Sequence, residues 1–454
     1  MQEAQMEDFI EEYQRRTPTS RRLHQEAQKV MAGGVSHGVR YFPPYPLYIK
    51  KVSGARIWDV DGNEYIDLWM GHFAMILGHR SELLTKALHE AVDLGSHWGI
   101  VHEHQVALAR LICDMVPCAE QVRFCVSGTE ATMYAARLAR GFTGRRLIVK
   151  MEGGWHGANT DLCVAIRPPF DVPDSAGIPP ETAQLTRAIP FNDVEAALRA
   201  LNAWGSDLAG VIVEPVMGAA GIIPAERGFL EVLREETARL GALLIFDEVI
   251  TGFRLAPGGA QQHYGVVPDL VTLGKIAGGG GNIGAVAGRS DVLARSDPTV
   301  PRRKGEAVMI GGGTFSCSPM SMISGLAVLR YLRDHAEEVY PRLNRLGQRL
   351  RKGMEDAFRE AGLPGRAIGV GSLCGAYLPL DPDTVVRNAA DMFLRTDLKR
   401  MEHEFRIRML NQGVYTMHGA GAISTAHGEE EVDHVIRATR LVAEQMAFRS
   451  RSWS

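Results

Sequence analysis

Three apolar runs in the middle of this sequence end in groups that can do chemistry. Leu208–Val213 leads into Glu214, Ala242–Phe246 into Asp247, and Leu270–Leu273 into Gly274 and Lys275. A fourth run, Val122–Val126, opens into Ser127-Gly128-Thr129 and then a helical stretch, Ala131–Phe142. Free backbone N–H groups, two hydroxyls and the positive end of a helix dipole at such a turn suit a phosphate. Each feature has an ordinary explanation: charged residues end strands to reach water, and Ser-Gly-Thr can be a plain helix cap. The combination is less ordinary. In a parallel sheet the strand C-termini share one edge, where ligands bind, so two acids and a lysine far apart in sequence would meet beside a phosphate turn.

One lysine, one carboxylate and a phosphate cradle are the parts of a pyridoxal phosphate (PLP) site. The lysine forms a Schiff base with the cofactor aldehyde, the carboxylate keeps the pyridine nitrogen protonated, and the helix N-terminus anchors the phosphate. Trp155 and His156 follow the run Leu147–Met151 and Gly153-Gly154, and Trp155 offers an aromatic face to stack on the ring.

The elements that must position these groups are legible in outline. Six short apolar runs (Val122–Val126, Leu147–Met151, Leu208–Val213, Ala242–Phe246, Leu270–Leu273 and Ile283–Ala287) alternate with amphipathic segments. That pattern predicts βαβ units and an α/β fold with a mostly parallel sheet covered by helices. Phe229–Leu240 reads as a helix stopped by Gly241. Ahead of the sheet, a charged helix spans Asp8 to Arg16 and then Arg21 to Met31, and two alternating runs around Asp61-Gly62 make a β-hairpin. Arg167–Pro180 is proline-rich and reads as a surface loop. After helices at Ser318–Asp334 and Arg342–Ala361, strands are expected within Gly365–Leu378 and Gly413–Thr425, then a terminal helix, Glu429–Phe448. The expected division is 1–75, an N-terminal segment joining a small domain; 76–335, a large domain; and 336–454, a C-terminal α+β domain, so that both chain ends build the smaller unit.

Composition narrows the classes. The 454 residues carry 50 Lys and Arg against 53 Asp and Glu, a formal net charge of −3. This gives no electrostatic footprint for nucleic acid. Six cysteines without a C-x-x-C pair argue against a disulfide framework or a zinc ribbon. Met1–Arg16 is acidic and lacks an apolar core, and no apolar run approaches the roughly 20 residues that span a bilayer. A soluble cytoplasmic protein, with neither membrane nor nucleic acid as partner, is the expectation. Gly279-x-Gly281-x-x-Gly284 formally fits a dinucleotide fingerprint. It follows Lys275 instead of joining a first strand to its helix, and reads as close-approach backbone. His97, His102 and His104 lack further ligands at metal spacing, so no metal site is expected.

Seven motifs in order carry a resemblance that covers residues 30 to 440: Ser127-Gly-Thr-Glu-Ala-Thr-Met133, Arg137-Leu-Ala-Arg-Gly-Phe-Thr-Gly-Arg145, Glu152-Gly-Gly-Trp-His-Gly157, Glu214-Pro-Val216, Leu244-Ile-Phe-Asp-Glu-Val249, Thr272-Leu-Gly-Lys275 and Gly313-Thr-Phe315. The sequence resembles the class-III, fold-type-I PLP-dependent aminotransferases, in particular their glutamate-1-semialdehyde 2,1-aminomutase-like branch. The resemblance implies Lys275 as the Schiff-base lysine and Asp247 as the partner of the pyridine nitrogen. It places Ser127, Gly128, Thr129, Trp155, His156, Glu214 and Val249 around the cofactor. It implies a homodimer in which Thr314 reaches the phosphate of the neighbouring subunit, and small amine and keto-acid substrates.

The substrate is less determined. No arginine lies between Arg408 and Arg437, where many 2-oxoglutarate-dependent relatives carry a carboxylate clamp. Arg40 matches the carboxylate-binding arginine of the aminomutases and is expected to contact substrate. After Trp69 the chain reads Met-Gly-His-Phe-Ala-Met75, bulkier and more apolar than the aminomutases' Ser-Trp-Gly. With His72 as a second substrate contact, this favours an aminotransferase for a hydrophobic or aromatic, β- or D-amino acid. An aminomutase of the glutamate-1-semialdehyde type is the alternative, and an amino-acid racemase a further one.

Overall fold

The computed structural model describes residues 2–451. At its centre lies a seven-stranded sheet, numbered here in chain order: β1 Gln121–Cys125, β2 Leu147–Met151, β3 Thr186–Ile189, β4 Leu208–Val213, β5 Leu243–Asp247, β6 Leu270–Gly274 and β7 Gly284–Gly288. Across the sheet the order is β1-β7-β6-β5-β4-β2-β3. Only β7 runs against the others, antiparallel to both β6 and β1. Strands β4 to β7 are buried at every position. Helices cover both faces, which is why the sequence reads there as unbroken apolar runs with little alternation.

Register brings the chemistry to one edge. Phe246 pairs with Val213 and Asp247 with Thr272, so Glu214, Asp247 and Lys275 leave three neighbouring strands at the same end. The helix Gly128–Thr143 leaves β1 at this edge too, with Ser127 as its N-cap. Its other end stops at Gly144 in the left-handed region, as the helix Arg227–Leu240 stops at Gly241; both are glycine caps.

Differences from the sequence reading have local causes. Strand β3 was not expected: it is a four-residue sheet edge, and Arg187 and Ala188 leave it without an apolar run. Strand β5 starts and ends one residue later than expected and includes Asp247 itself. The second N-terminal helix is Pro18–Ala27 and gives way to a turn before Gly33, whose φ of 65° breaks helical geometry. The helix expected at Arg342 begins at Ala336 and carries Pro341 in its second turn.

The chain ends share the smaller unit. Strands Ile49–Ser53, Arg56–Asp59 and Glu64–Asp67 form an antiparallel meander that includes the expected hairpin, and Val414–Tyr415 adds in parallel to Glu64–Asp67. Phe9, Tyr13, Phe42, Tyr65, Ile407 and Leu410 lie in one apolar cluster drawn from both termini. The helices Ala336–Ala361 and Glu429–Arg451 pack on one another beside a sheet of Arg366–Ile368, Leu373–Tyr377 and Gly421–Ala422. On this basis we propose domain boundaries near residues 75 and 335. No described helix is long and apolar enough to cross a membrane.

Candidate active site

The strand ends enclose a cavity of about 300 Å³. Its lining includes Ser127, Gly128, Thr129, Trp155, His156, Glu214, Asp247, Val249 and Lys275. Nine residues singled out from sequence, contributed by five separate segments, thus face one space.

The phosphate turn is built for close approach. Ser127 Oγ caps its helix by accepting from the Glu130 N–H at 3.3 Å. A Cβ on Gly128 would lie 2.9 Å from both methyls of Val249, and one on Gly157 would overlap Thr129. Both glycines are therefore places where another backbone or side chain already occupies the room a side chain would need. The result is a dipole end with accessible N–H groups, open to an anion.

Asp247 is held on three sides. His156 Nδ1 lies 2.7 Å from Asp247 Oδ2, Thr272 Oγ1 donates to Oδ1 at 3.0 Å, and the Val249 N–H donates to the same oxygen at 3.2 Å. Burial lowers the His156 pKa below the usual imidazole value, against the opposing pull of Asp247. The hydrogen bond requires the ring proton on Nδ1, which leaves the buried Nε2 without a partner. Its carbonyl oxygen accepts from Thr132 Oγ1 at 2.5 Å, which anchors His156 to the phosphate helix.

Lys275 sits at the head of the turn that follows β6, in the left-handed region at φ 48°. Backbone strain of this kind at a non-glycine residue costs on the order of 1–3 kcal/mol and persists where the surroundings dictate it. Burial lowers the Lys275 pKa, while Asp247 and Glu214 pull it up. Glu214 is pushed up to about 8, by burial first and by the nearby Asp247 second. Its two oxygens accept from the N–H groups of Trp155 (2.8 Å) and Gly218 (3.0 Å). Trp155 itself is 40% exposed, so its ring is not spent on core packing and stands free at the cavity.

Comparison with known proteins decides the family. Residues 38–425 match the family described as Aminotransferase class-III. The chain is 40% identical over 432 residues to the glutamate-1-semialdehyde 2,1-aminomutase of Aquifex aeolicus, covering 92% of this chain and 98% of that one. Among solved structures it superposes on a transaminase with PLP bound at TM-score 0.86, with 34% identity and 96% and 99% coverage. The β-phenylalanine aminotransferase of Variovorax paradoxus gives TM-score 0.86, 32% identity and 96% coverage of both chains.

The chain belongs to the class-III aminotransferases.

PLP is the cofactor of this class-III enzyme, and the residues present fit it. The glycine cradle at Gly128 and Gly157 would leave room for a phosphate, Asp247 is pre-oriented by His156, and an amine with lowered pKa lines the same cavity. Gly279 and Gly281 pack on the backbone of the helix Pro319–Asp334, at Ser324 and Ser321, and Gly284 on Ser127, so the glycine-rich stretch is close-approach backbone. His102 bonds the Cys317 carbonyl at 2.7 Å, and His97 and His104 make ring contacts with Phe315 and Trp98.

Three residues expected at the site, Thr314, Arg40 and His72, stand outside the cavity lining. Thr314 is exposed on this chain. Arg40 is exposed as well, yet its charge is felt at His72, as is that of Lys275. His72 is therefore close enough to both for their charges to bear on it. It is half-buried, stacks on His37 with centroids 5.3 Å apart, and packs on Trp69 at 4.5 Å. Burial first, then His37, Arg40 and Lys275, lower its pKa to about 4.

Other contributors were not expected. Lys150 lies fully inside β2, where its ammonium donates to the carbonyls of Gly154 (2.7 Å), Val164 (2.6 Å) and Leu162 (3.2 Å). It thereby fixes the loop that carries Trp155 and His156. A lysine inside the apolar run Leu147-Ile-Val-Lys-Met151 was the signal that could have found it. Thr132 and Thr272 have no such signature, because a threonine in a helix or strand is ordinary.

Proposed function

We propose that this enzyme is an aminomutase of the glutamate-1-semialdehyde type, moving an amino group between adjacent carbons of one carboxylate-bearing amino aldehyde. The observation that carries this reading is the position of positive charge. Arg40 is a cation whose charge bears on the neutral His72 ring, as that of Lys275 does, and His72 stacks on His37, so a carboxylate bound by Arg40 would leave the reacting carbon to Lys275. A distal carboxylate is what glutamate-1-semialdehyde presents, and the 40% identity to the Aquifex enzyme supports the same choice.

When bound, PLP supplies an electrophilic aldehyde and a ring that accepts an electron pair. The residues do the rest. Ser127, Gly128 and Thr129 would bind the phosphate at the helix N-terminus. Asp247, braced by His156 and Thr272, would hold the proton on the ring nitrogen. Trp155 would cover one ring face. Lys275 Nζ, biased by burial toward the neutral amine, would act as the general base that takes a proton from one carbon bonded to the reacting nitrogen and delivers it to the carbon on the other side of that nitrogen. Glu214, protonated in part at neutral pH, can donate a hydrogen bond beside it. Arg40 would orient the carboxylate as a planar two-pronged donor. Thr314 would meet the cofactor of a second copy in a homodimer.

A second reading, an aminotransferase for a hydrophobic or β-amino acid, is favoured by one observation. Trp69 and Phe73 make an edge contact at 4.7 Å beside His72, an aromatic wall suited to an aromatic side chain, and the Variovorax enzyme is named for β-phenylalanine. One experiment separates the two. Enzyme carrying the cofactor's amine form is given glutamate-1-semialdehyde and no other amino donor. Many turnovers to the isomer with its amine on C1 are expected; turnover that stops after one equivalent of diamine and resumes only when an amino donor is added would establish the aminotransferase instead.

A further inference from the structure

Beside the Lys275–Gly278 turn lies an unusual piece of backbone. Met70, Gly71, His72 and Phe73 have φ of 45°, 59°, 59° and 68°, one turn of left-handed helix in which three residues carry side chains. That conformation costs an L-residue about 1–2 kcal/mol, so the turn persists only because something outside it dictates its shape. It packs against the Lys275–Gly278 turn on one side and the strand Gly421–Ala422 on the other.

Arg254 meets this turn. It is 1% exposed, its Nη2 donates to the Phe73 carbonyl, and its Nη1 donates to Ser372 Oγ at 3.1 Å. Its Nε has no partner, and no carboxylate pairs with it among the described residues. Burial pushes its pKa down to about 10. A buried cation without an acid is costly, and for packing alone an apolar side chain of similar volume would serve better. Its charge also bears on Lys275.

We propose that Arg254 is a positioning residue which locks the Met70–Phe73 turn in its left-handed form, and that the turn in consequence presents His72 to the substrate as a specificity determinant beside Lys275. Arg254 touches neither cofactor nor substrate; it acts through the Phe73 carbonyl. This deepens the proposed function and rests on it only in taking His72 to face the substrate.

The test compares Arg254→Met, His72→Gln and the double variant in the PLP-loaded enzyme, with Arg254→Lys as a variant that keeps the charge. A misplacement of about 1 Å costs on the order of a hundredfold in rate. Arg254→Met is therefore expected to lower kcat/KM about a hundredfold, Arg254→Lys less, and adding His72→Gln to Arg254→Met is expected to cost little more. Multiplicative losses would mean that Arg254 does not act through His72 and would overturn the proposal. A second readout needs no turnover: imidazole NMR of apo-protein with labelled histidine, the His72 signal assigned from its loss in His72→Gln. In the wild type this ring should stay neutral at pH 5. In Arg254→Met it should titrate near the ordinary value of about 6.5, because a released turn lets the ring reach water. An unchanged titration would equally overturn the proposal. If Arg254→Met does not fold, Arg254→Lys with and without His72→Gln carries the same comparison. If the enzyme turns over no amino aldehyde, the proposed function fails while the NMR result still stands on its own.

Discussion

Replacing Gly128 by alanine tests the cradle most sharply. The new Cβ would sit 2.9 Å from Val249 Cγ1 and 2.9 Å from Cγ2, well inside normal van der Waals separation. Val249 has little freedom to retreat. A Cβ on Gly274 would already lie 3.2 Å from the same Cγ1, and the Val249 N–H is tied to Asp247 at 3.2 Å. Overpacking of this kind costs about 1–3 kcal/mol. Because the strained methyl sits where backbone N–H groups must meet the phosphate, most of that cost should appear in cofactor binding. A loss of about 1.4–2.8 kcal/mol is about a 10- to 100-fold rise in the Kd for PLP. The assay is titration of apo-protein with PLP, followed by absorbance, for wild type, Gly128→Ala, Val249→Ala and the double variant. Val249→Ala removes both methyls, so the double variant should recover at least tenfold of the lost affinity. Wild-type affinity in Gly128→Ala, or no recovery in the double variant, would refute the reasoning.

Three further outcomes follow from the same geometry. Lys150→Met leaves the Gly154, Leu162 and Val164 carbonyls without their donor; an unsatisfied buried group costs about 1–3 kcal/mol, so urea denaturation of apo-protein should show a loss of about 3 kcal/mol or more, and a loss below about 1 kcal/mol would contradict the anchoring role. His156→Ala frees one oxygen of Asp247 from its 2.7 Å partner; PLP affinity should fall about tenfold, beside a loss of apo stability on the order of 1–3 kcal/mol from the orphaned buried oxygen, whereas equal affinity would show that Asp247 needs no such brace. Glu214 has a folded pKa raised to about 8 from an ordinary value near 4.5, so the stability it contributes is fully present below about pH 4.5 and is lost as pH rises through about 8. Thermal melts of apo-protein should therefore fall from pH 6 to pH 9 more steeply in wild type than in Glu214→Gln, and parallel slopes would rule this out.

Much of the site was legible because the chemistry sits at strand ends. Glu214, Asp247 and Lys275 each close an apolar run, and a parallel sheet converts that one-dimensional pattern into a shared edge. The edge strand β3 was hidden because a strand with one exposed side need not be apolar throughout. The positions that hold the site, by contrast, act through contacts distant in sequence. Arg254 bonds the carbonyl of Phe73, and His156 bonds Asp247; no spacing rule connects either pair. The left-handed turn at Met70–Phe73 was likewise unreadable, since only one of its four residues is the glycine that would announce it. Lys150 lies between these cases: its place inside an apolar run was visible, but its three carbonyl partners were not.

We propose that PLP is carried by Lys275 and by no other lysine; Lys150 is the natural competitor, a buried amine with its pKa lowered to about 8. Borohydride reduction of the PLP-loaded enzyme, followed by proteolysis and mass spectrometry, tests this directly. The reduced cofactor is expected on the peptide containing Lys275, with the label lost in Lys275→Ala. Label on Lys150, or on Lys275→Ala protein as fully as on wild type, would contradict it.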